Sequence, residues 1–453
     1  MMARGTLSVC MIVRNESRML PDCLSSIQDV ADQLVIVDTG STDDTVSIAS
    51  SFGAQIHHFK WIDDFAAARN ESIRHATGDW ILWLDADEQL MPASVEPLKR
   101  LLVPPKRPTI YQVMIRNLQA DKQSSSLSMS HRLFSRHPRL RFSGRIHEQI
   151  HPSLKVAGGV EKPSDVILEH EGYALDEDQM RTKLERNQVL LDAMIEEQPD
   201  SAYAHYTLGQ NYALLGRQEQ ALKAYLRALE INAFTGTSVS TLLNALAETC
   251  WQLDRLDEAE TYARKSLGVT RRQTSGNFIM YRIMRSRGDV EGQVEYLERV
   301  LAFSQQGEGI PRGDLRKDII IPRQHVLFSL GQLYLSIGND AAAEKALKEC
   351  LELKPDHRET LEMLIPVLAK QNRWEELLTV LDDLSRPLPD NIREMGGMAL
   401  IKLKRFEEAI TYHRAWLEDT PDHEGLRKRL AGLYAKVGDR QAAQRILEGK
   451  PPD

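Results

Sequence analysis

The sequence predicts an α/β domain with a mostly parallel sheet, followed by an all-α solenoid of helical repeats. Strand-like and helix-like segments alternate through the first 84 residues, which is typical of a parallel sheet with right-handed crossovers. After Tyr173 the strand-like runs disappear, and small residues recur with a period centred on 34, which is typical of helix-turn-helix repeats. We therefore expect an α/β domain over residues 1–175, a linking helix over 176–200 and repeats over 201–453.

Four short apolar runs predict the strands of the first domain, namely Leu7–Val13, Leu34–Val37, Ala54–Phe59 and Trp80–Leu84. The last of these is apolar throughout, which suits a strand buried on both faces of the sheet. Helices are predicted between the strands, from Ser17 to about Val30, from Asp44 to Phe52 and from Phe65 to Ala76. Ser17 is a residue type that caps helix amino termini, so we expect it to begin the first helix.

Two acids follow the fourth predicted strand directly. Asp85 and Asp87 are two residues apart, so along an extended chain they project to the same side. The carboxyl ends of strands in open α/β sheets bind ligands, and hard oxygen donors suit Mg²⁺ or Mn²⁺ on a diphosphate. Taken alone, a D-x-D pair is more often a solvated turn, so the metal site depends on its neighbours.

Polar residues also follow the first and second predicted strands. Arg14, Asn15 and Glu16 come after the first, and Asp38 ends the second. A carboxylate such as Asp38 suits hydrogen bonds from a uracil imide or a ribose hydroxyl, although capping a helix is the simpler role. There is no G-x-G-x-x-G after the first strand, which disfavours a nicotinamide or flavin cofactor.

Four segments in this order resemble the inverting family 2 glycosyltransferases, which have the Rossmann-like GT-A fold: Leu7–Glu16, Val35–Asp44, Phe65–Asn70 and Leu84–Glu88. The resemblance covers roughly residues 5–175. It implies that Arg14, Asn15, Glu16 and Asp38 surround the nucleoside of a nucleotide sugar. It also implies that Arg69 reaches the donor or supports Asp85, that Asp85 touches the ribose, and that Asp87 binds Mn²⁺ or Mg²⁺ under the diphosphate.

The catalytic base departs from the family pattern. Those enzymes usually supply it as an acid in a later x-E-D segment, but this chain has Phe142–Ile150, which contains His147 and Glu148. We rank Glu148 first as the base and His147 second, and the choice stays open. His170 ends a predicted strand, where many GT-A enzymes place a further metal ligand. An arginine of the set 132, 136, 139, 141 and 145 is a further candidate to clamp a phosphate.

The second half resembles tetratricopeptide repeats, most clearly at residues 206–228 and 330–355. The position for a small residue in each second helix is filled by Ala221, Ala259, Gln293, Ala343, Leu377, Ala409 and Ala443, of which Gln293 and Leu377 are degenerate members. Successive positions are 38, 34, 50, 34, 32 and 34 residues apart, which predicts about seven helix pairs. The 50-residue step contains a predicted inserted loop over 304–322. Solenoids of this kind offer a concave surface for peptides or proteins.

Composition disfavours several classes of function. The net charge is −8 and no basic block dominates, so we expect no general nucleic-acid binding. No stretch approaches 18 apolar residues, so no transmembrane segment is predicted. Four well-separated cysteines indicate buried reduced thiols, and we expect a cytoplasmic protein.

Our leading hypothesis is a metal-dependent inverting glycosyltransferase. It would move a sugar from a nucleotide donor, UDP-linked by preference, to a peptide or protein held by the repeats. The domain order is similar to that of the sublancin-type bacteriocin peptide glycosyltransferases. The alternative acceptor is a cell-surface saccharide or lipopolysaccharide core. A non-enzymatic repeat scaffold is the third hypothesis, against which the retained Asp85 and Asp87 argue. A homodimer is compatible with all three.

Overall fold

The computed structural model describes residues 4–118, 125–171, 177–304, 317–384 and 388–450. These form two compact units, Met1–Pro322 and Arg323–Asp453, so the first repeats belong to the same unit as the sheet. The predicted fold class, an α/β domain followed by an all-α repeat region, is confirmed. The predicted domain boundary at residue 175 lies outside the described residues, and the domain ranges stay a prediction.

The described part of the first unit contains a nine-stranded sheet: β1 (Leu7–Val13), β2 (Gln33–Asp38), β3 (Gln55–His58), β4 (Trp80–Leu84), β5 (Glu88–Leu90), β6 (Thr109–Leu118), β7 (Ser125–Ser135), β8 (Val160–His170) and β9 (Lys317–Ile320). Their order is β3-β2-β1-β4-β7-β6-β8-β5, and β9 pairs with β7. The half formed by β1 to β4 is parallel, as predicted. The sheet as a whole is mixed, because β7 runs antiparallel to β4, β6 and β9, and β5 runs antiparallel to β8.

Five helices lie among these strands: α1 (Leu20–Ile27), α2 (Thr45–Ser51), α3 (Phe65–Arg74), α4 (Val95–Leu101) and α5 (His151–Val156). The two faces of the sheet form separate cores because neighbouring strand residues point in opposite directions. Thus Met11 and Leu82 pack into one core cluster, whereas Cys10 and Trp83 pack into another. The first helix begins at Leu20 and not after Ser17, since Pro21 favours the first turn of a helix.

The repeat region begins with α6 (Glu177–Glu197), which falls within the predicted linking helix. Seven consecutive helix pairs follow in the described residues: α7 (Ala202–Leu214) and α8 (Gln218–Ile231), α9 (Thr237–Gln252) and α10 (Leu256–Val269), α11 (Thr274–Arg287) and α12 (Val290–Ser304), α13 (Arg323–Ser336) and α14 (Asp340–Leu353), α15 (Arg358–Lys370) and α16 (Trp374–Asp382), α17 (Asp390–Lys402) and α18 (Phe406–Asp419), and α19 (Glu424–Lys436) and α20 (Arg440–Leu447). Each of the seven predicted small positions is the fourth residue of a second helix, and all seven are buried. This position is therefore where each second helix packs closely on its neighbours.

The turn inside each helix pair contains a residue with a left-handed backbone conformation, five positions before the predicted small-residue position. Glycine fills this place at 216, 288, 338 and 438, where positive φ carries no penalty from a Cβ atom. Asp254, Asn372 and Lys404 fill it in the other three repeats with φ of 59°, 60° and 61°. Aspartate and asparagine tolerate this region better than lysine, so Lys404 is the most strained of the seven.

Part of the predicted 304–322 loop is a strand. Residues 305–316 lie outside the described residues, but β9 follows them and pairs antiparallel with β7. The buried carboxylate of Asp318 accepts the backbone N–H groups of Thr274 and Ser275 at 2.8 and 2.7 Å. Because these N–H groups begin α11, β9 joins a repeat helix to the sheet of the same unit.

The four cysteines are free and buried, as predicted: Cys10, Cys23, Cys250 and Cys350. Within the described ranges, every helix is too short or too polar to cross a bilayer.

Candidate active site

The carboxyl ends of β1, β2 and β4 meet at one edge of the sheet, because these strands are adjacent and parallel. Asp38, at the end of β2, is buried and accepts the backbone N–H groups of Gly40 and Ser41 at 3.2 and 3.1 Å. Burial opposes its ionisation, but the bonds from Ser41 and Gly40 outweigh this and lower the pKa of Asp38. A carboxylate therefore faces this edge at neutral pH, with Nδ1 of His58 3.3 Å away.

The residues after β1 shape the same edge. Asn15 adopts a φ of 56°, and its Oδ1 accepts the backbone N–H of Thr42 at 2.8 Å. The backbone N–H of Glu16 donates to Oγ1 of Thr45 at 2.7 Å, while Arg14 is exposed. The side-chain oxygen of Asn15 thus holds the loop after β2, a role the sequence did not predict. The nucleoside contacts of all three residues stay predictions.

The carboxylates of Glu16, Asp85 and Asp87 create a negative potential at this edge. Burial, and then the charges of Asp87 and Asp85, raise the pKa of Glu16 to about 7. The nearby ammonium of Lys183 on α6 acts in the opposite direction. A cation bound here would relieve the repulsion among the acids.

Arg69 links two of the predicted site residues. Its Nη2 donates to Oδ1 of Asp85 at 2.6 Å, and its Nε donates to Oε1 of Glu148. Only 6% of the Arg69 side chain and 7% of the Glu148 side chain are exposed. Burial opposes ionisation of Asp85, but the charges of Arg69 and then Arg132 hold its pKa well below the ordinary range. The structure therefore brings Asp85 and Glu148 into direct contact with the same guanidinium, that of Arg69.

Arg132 is the member of the predicted arginine set that reaches this centre. It pairs with Glu88 and lies 3.2 Å from Oδ2 of Asp85. The guanidiniums of Arg132 and Arg69 lie over the ring of Trp83, 3.4 and 3.9 Å from its centroid. Arg132 is buried, and its Nε and Nη1 have no hydrogen-bond acceptor among the described residues. These two nitrogens are therefore buried donors whose hydrogen-bonding capacity is unused within the described part of the chain.

Asp87 and His170 meet because of strand register. β5 pairs with β8 so that Glu88 faces His170, which places the preceding Asp87 beside the imidazole. Oδ2 of Asp87 lies 3.0 Å from Nε2 of His170, and Nδ1 of His170 lies 2.9 Å from Oδ1 of Asn117. One carboxylate oxygen and one imidazole nitrogen therefore converge on one point, with the second ring nitrogen oriented by an amide. This donor set fits Mn²⁺ or Mg²⁺, with manganese the better match to the nitrogen.

The loop over residues 142–150 carries both candidate bases, and α3 holds it at two points. Asn70 exchanges two hydrogen bonds with the backbone of Phe142, and the N–H of Phe65 donates to the carbonyl of Arg145 at 2.8 Å. Within the loop, His147 adopts a φ of 53°. The side chain of Glu148 is turned toward Arg69, so Glu148 is the candidate base that belongs to the charged centre.

Comparison with known proteins gives family matches in both parts of the chain. Residues 8–153 match the model of glycosyl transferase family 2, and residues 200–272 and 324–357 match tetratricopeptide repeat models. Residues 8–153 are therefore similar to a family 2 glycosyltransferase domain. The match ends shortly after the loop that contains Glu148, so it includes Asp38, Arg69, Asp85 and Asp87 but not His170.

Two curated proteins are similar over about half of this chain. A TPR repeat-containing protein of Synechococcus elongatus is 39% identical over 236 residues, which are 50% of this chain and 56% of that protein. The SPbeta prophage-derived glycosyltransferase SunS of Bacillus subtilis is 27% identical over 226 residues, which are 48% of this chain and 51% of SunS. The chain thus spans about half the length of these relatives. Among solved structures, MamA aligns with a TM-score of 0.32 and 16% identity, over 40% of this chain and 95% of MamA.

Repeat-region residues also approach the transferase domain, which the sequence did not predict. Tyr203 of α7 is hydrogen-bonded to Gln149, and burial together with the charge of Glu148 raises its pKa. Burial and the nearby charge of Arg14 lower the pKa of Arg186 on α6. Leu190 and Leu191 of α6 pack in one cluster with Ile146 of the loop. No local motif marks these residues, because their proximity depends on how the repeats fold back on the sheet.

Proposed function

We propose that this protein is a metal-dependent, inverting glycosyltransferase that uses a nucleoside-diphosphate sugar, with UDP as the nucleotide. The observation that carries this proposal is the link from Asp85 through Arg69 to Glu148, beside the converging pair of Asp87 and His170. The link joins the donor side of the site to the candidate base. Together these groups supply what sugar transfer requires: a place for the diphosphate and a base for the acceptor.

The edge of the sheet supports the nucleoside assignment. Asp38 is an ionised acceptor at the end of β2, suited to an imide N–H or a ribose hydroxyl. Burial and then the charge of Arg14 lower the pKa of Arg186, and an anionic diphosphate bound beside the two guanidiniums would offset that repulsion. The donor would therefore lie along the ends of β1, β2 and β4.

The cation would be held by Asp87 and His170, beside Glu16 and Asp85. When bound, it would neutralise charge on the leaving diphosphate without any proton transfer. Arg132, whose buried Nε and Nη1 have no acceptor among the described residues, would donate to a phosphate or sugar oxygen next to the cation.

In the proposed reaction, Glu148 accepts the proton of the acceptor's O–H, S–H or N–H group. The acceptor atom then forms a bond to the anomeric carbon on the face opposite the diphosphate. The bond from that carbon to the diphosphate oxygen breaks, and the nucleoside diphosphate leaves with the electron pair. Arg69 holds the side chain of Glu148 in position before the transfer, and the buried surroundings exclude water.

For the acceptor, we propose a peptide or protein bound by the repeats. Tyr203 of the first repeat helix lies beside Glu148 and Gln149, so a chain held along the repeats would have access to the candidate base. SunS, a relative over half of this chain, is itself named a glycosyltransferase, which supports the activity.

A panel of nucleotide sugars tests the proposal. Purified full-length protein is incubated with each sugar nucleotide and Mn²⁺, and the released nucleoside diphosphate is measured. We expect hydrolysis of one UDP-sugar, suppressed by chelation and in the Asp87→Ala variant. A peptide library then tests for mass increases of one sugar. If no donor is hydrolysed, the transferase proposal fails. If a saccharide accepts the sugar and no peptide does, the acceptor assignment alone fails.

A further inference from the structure

His131, His151 and Glu161 form a cluster that the proposed transfer reaction does not use. They lie on β7, at the first residue of α5 and on β8, respectively. Nε2 of His131 is 2.9 Å from Oε1 of Glu161, and Nε2 of His151 is 3.0 Å from Oε2. The two imidazole rings are stacked with their centroids 5.0 Å apart. All three ligand atoms thus lie within 4.8 Å of one another.

We propose that this cluster is a second divalent-cation site, which binds Zn²⁺ or a similar transition metal in preference to Mg²⁺. Two imidazole nitrogens and one carboxylate are a donor set found in zinc sites that keep a fourth position for water. Mg²⁺ prefers oxygen ligands in octahedral geometry, which this set does not provide. The cluster is therefore chemically distinct from the proposed donor site.

To bind one metal ion, the three ligand atoms, which lie within 4.8 Å of one another, would adjust toward tetrahedral spacing. Ligand bonds of about 2.0–2.2 Å in tetrahedral geometry place ligand atoms roughly 3.3–3.5 Å apart. The observed nitrogen–oxygen distances of 2.9 and 3.0 Å are shorter by a few tenths of an ångström. The three side chains are 20%, 26% and 22% exposed, so an ion and a water ligand have access from solvent.

Two features of the sheet build this arrangement. The register between β6 and β7 shifts between Tyr111 and Val113, and a bulge at such a place re-aims the neighbouring side chain, here His131. Gln112 lies within the shifted segment, and its amide donates to Oε1 of Glu161. A hydrogen bond from a neighbouring side chain, such as this one, fixes the orientation of a ligating carboxylate.

A metal here would anchor the loop that carries the candidate base. His151 comes three residues after Glu148, and the backbone of Gln149 is already bridged to Ser143. Binding His151 to β7 and β8 through a metal would restrain this end of the loop. We therefore expect Zn²⁺ to raise the rate of transfer with little effect on donor affinity. This consequence rests on the proposed function, whereas the binding of metal does not.

The test uses full-length protein without a histidine tag, stripped with a chelator and free of nucleotide. Zn²⁺ is titrated by calorimetry in excess Mg²⁺, and Co²⁺ is titrated as a probe of visible absorption. We expect about one Zn²⁺ per chain and a Co²⁺ spectrum with nitrogen ligands. His151→Ala and Glu161→Gln should each weaken Zn²⁺ binding at least tenfold. Asp87→Ala and the control His325→Ala, an exposed histidine, should leave it unchanged.

Thermal unfolding keeps the test decisive if one variant folds poorly. Zn²⁺ should raise the Tm of the wild type and of Asp87→Ala, but not that of the near-isosteric Glu161→Gln. The proposal is overturned if wild-type protein binds no Zn²⁺ in excess Mg²⁺. It is also overturned if the two cluster variants bind as tightly as wild type, or if Asp87→Ala abolishes binding.

Discussion

The guanidinium of Arg69 donates from Nη2 to Oδ1 of Asp85 at 2.6 Å, across the end of the buried strand β4. The same group donates from Nε to Glu148, 79 residues further along the chain. One arginine thus joins the end of β4 to the loop that carries the candidate base. The site depends on this link for both its charge balance and its geometry.

Replacing Arg69 should therefore affect stability as well as activity. Arg69→Met leaves Glu148 buried without its partner, so we expect the free energy of unfolding to fall by about 3–5 kcal/mol. Chemical denaturation measures this. Arg74→Met, on the same helix but 67% exposed, is the control and should stay within about 0.5 kcal/mol of wild type. Equal losses in both variants would show that the buried link has no special importance.

Much of this site could be predicted from the sequence, because several of its residues lie at the ends of strands. Asp38 and Asp85 end apolar runs, and parallel strands necessarily bring such ends to one edge. The contact of Arg69 with Glu148 depends instead on the path of the 142–150 loop, which has no periodic pattern. Arg69 and Glu148 were predicted only through the family resemblance. The sequence ranked Glu148 first as the base but did not indicate that Arg69 binds it.

The identity of the base is tested by two substitutions. A general base is worth about a hundred- to ten-thousand-fold in rate, so Glu148→Gln should reduce kcat by that factor with donor affinity nearly unchanged. His147→Ala should instead weaken donor or cation binding. Steady-state kinetics with calorimetry separates the two effects. Reversed phenotypes would make His147 the base, and if neither variant slows transfer tenfold, the base lies elsewhere.

The repeat region was predictable in its period but not in its connection to the sheet. The regular spacing of this position identified the second helix of every described pair, although only five of the seven positions hold alanine. By contrast, β9 adds a four-residue strand to β7 from a segment with Gly and Pro nearby, which favoured a loop. Tyr203 and Arg186 were likewise missed, since a helical pattern does not reveal which face meets another domain.

Strain in the repeat turns gives a separate prediction. Lys404 has a φ of 61° at a place that glycine fills in four other repeats. Lys404→Gly should remove a steric cost of about 1–2 kcal/mol, offset by the greater entropy of glycine in the unfolded chain, for a net gain of about 0.5–1 kcal/mol. Lys345→Gly, at an exposed position inside α14, should instead destabilise by about 1 kcal/mol. Thermal denaturation of both variants and of the wild type measures these changes. A Lys404→Gly protein less stable than the wild type would contradict the prediction.

The most direct test of the account is calorimetry of UDP binding with and without Mn²⁺. Asp87 is paired with His170 in the proposed cation site, so wild-type protein should bind UDP much more tightly when Mn²⁺ is present. The control Asp29→Ala, at an exposed position after α1, should keep this dependence. Asp87→Ala should fold cooperatively yet lose the gain from Mn²⁺. Unchanged Mn²⁺-dependent affinity in Asp87→Ala would contradict the proposal of a metal-dependent nucleotide-sugar site.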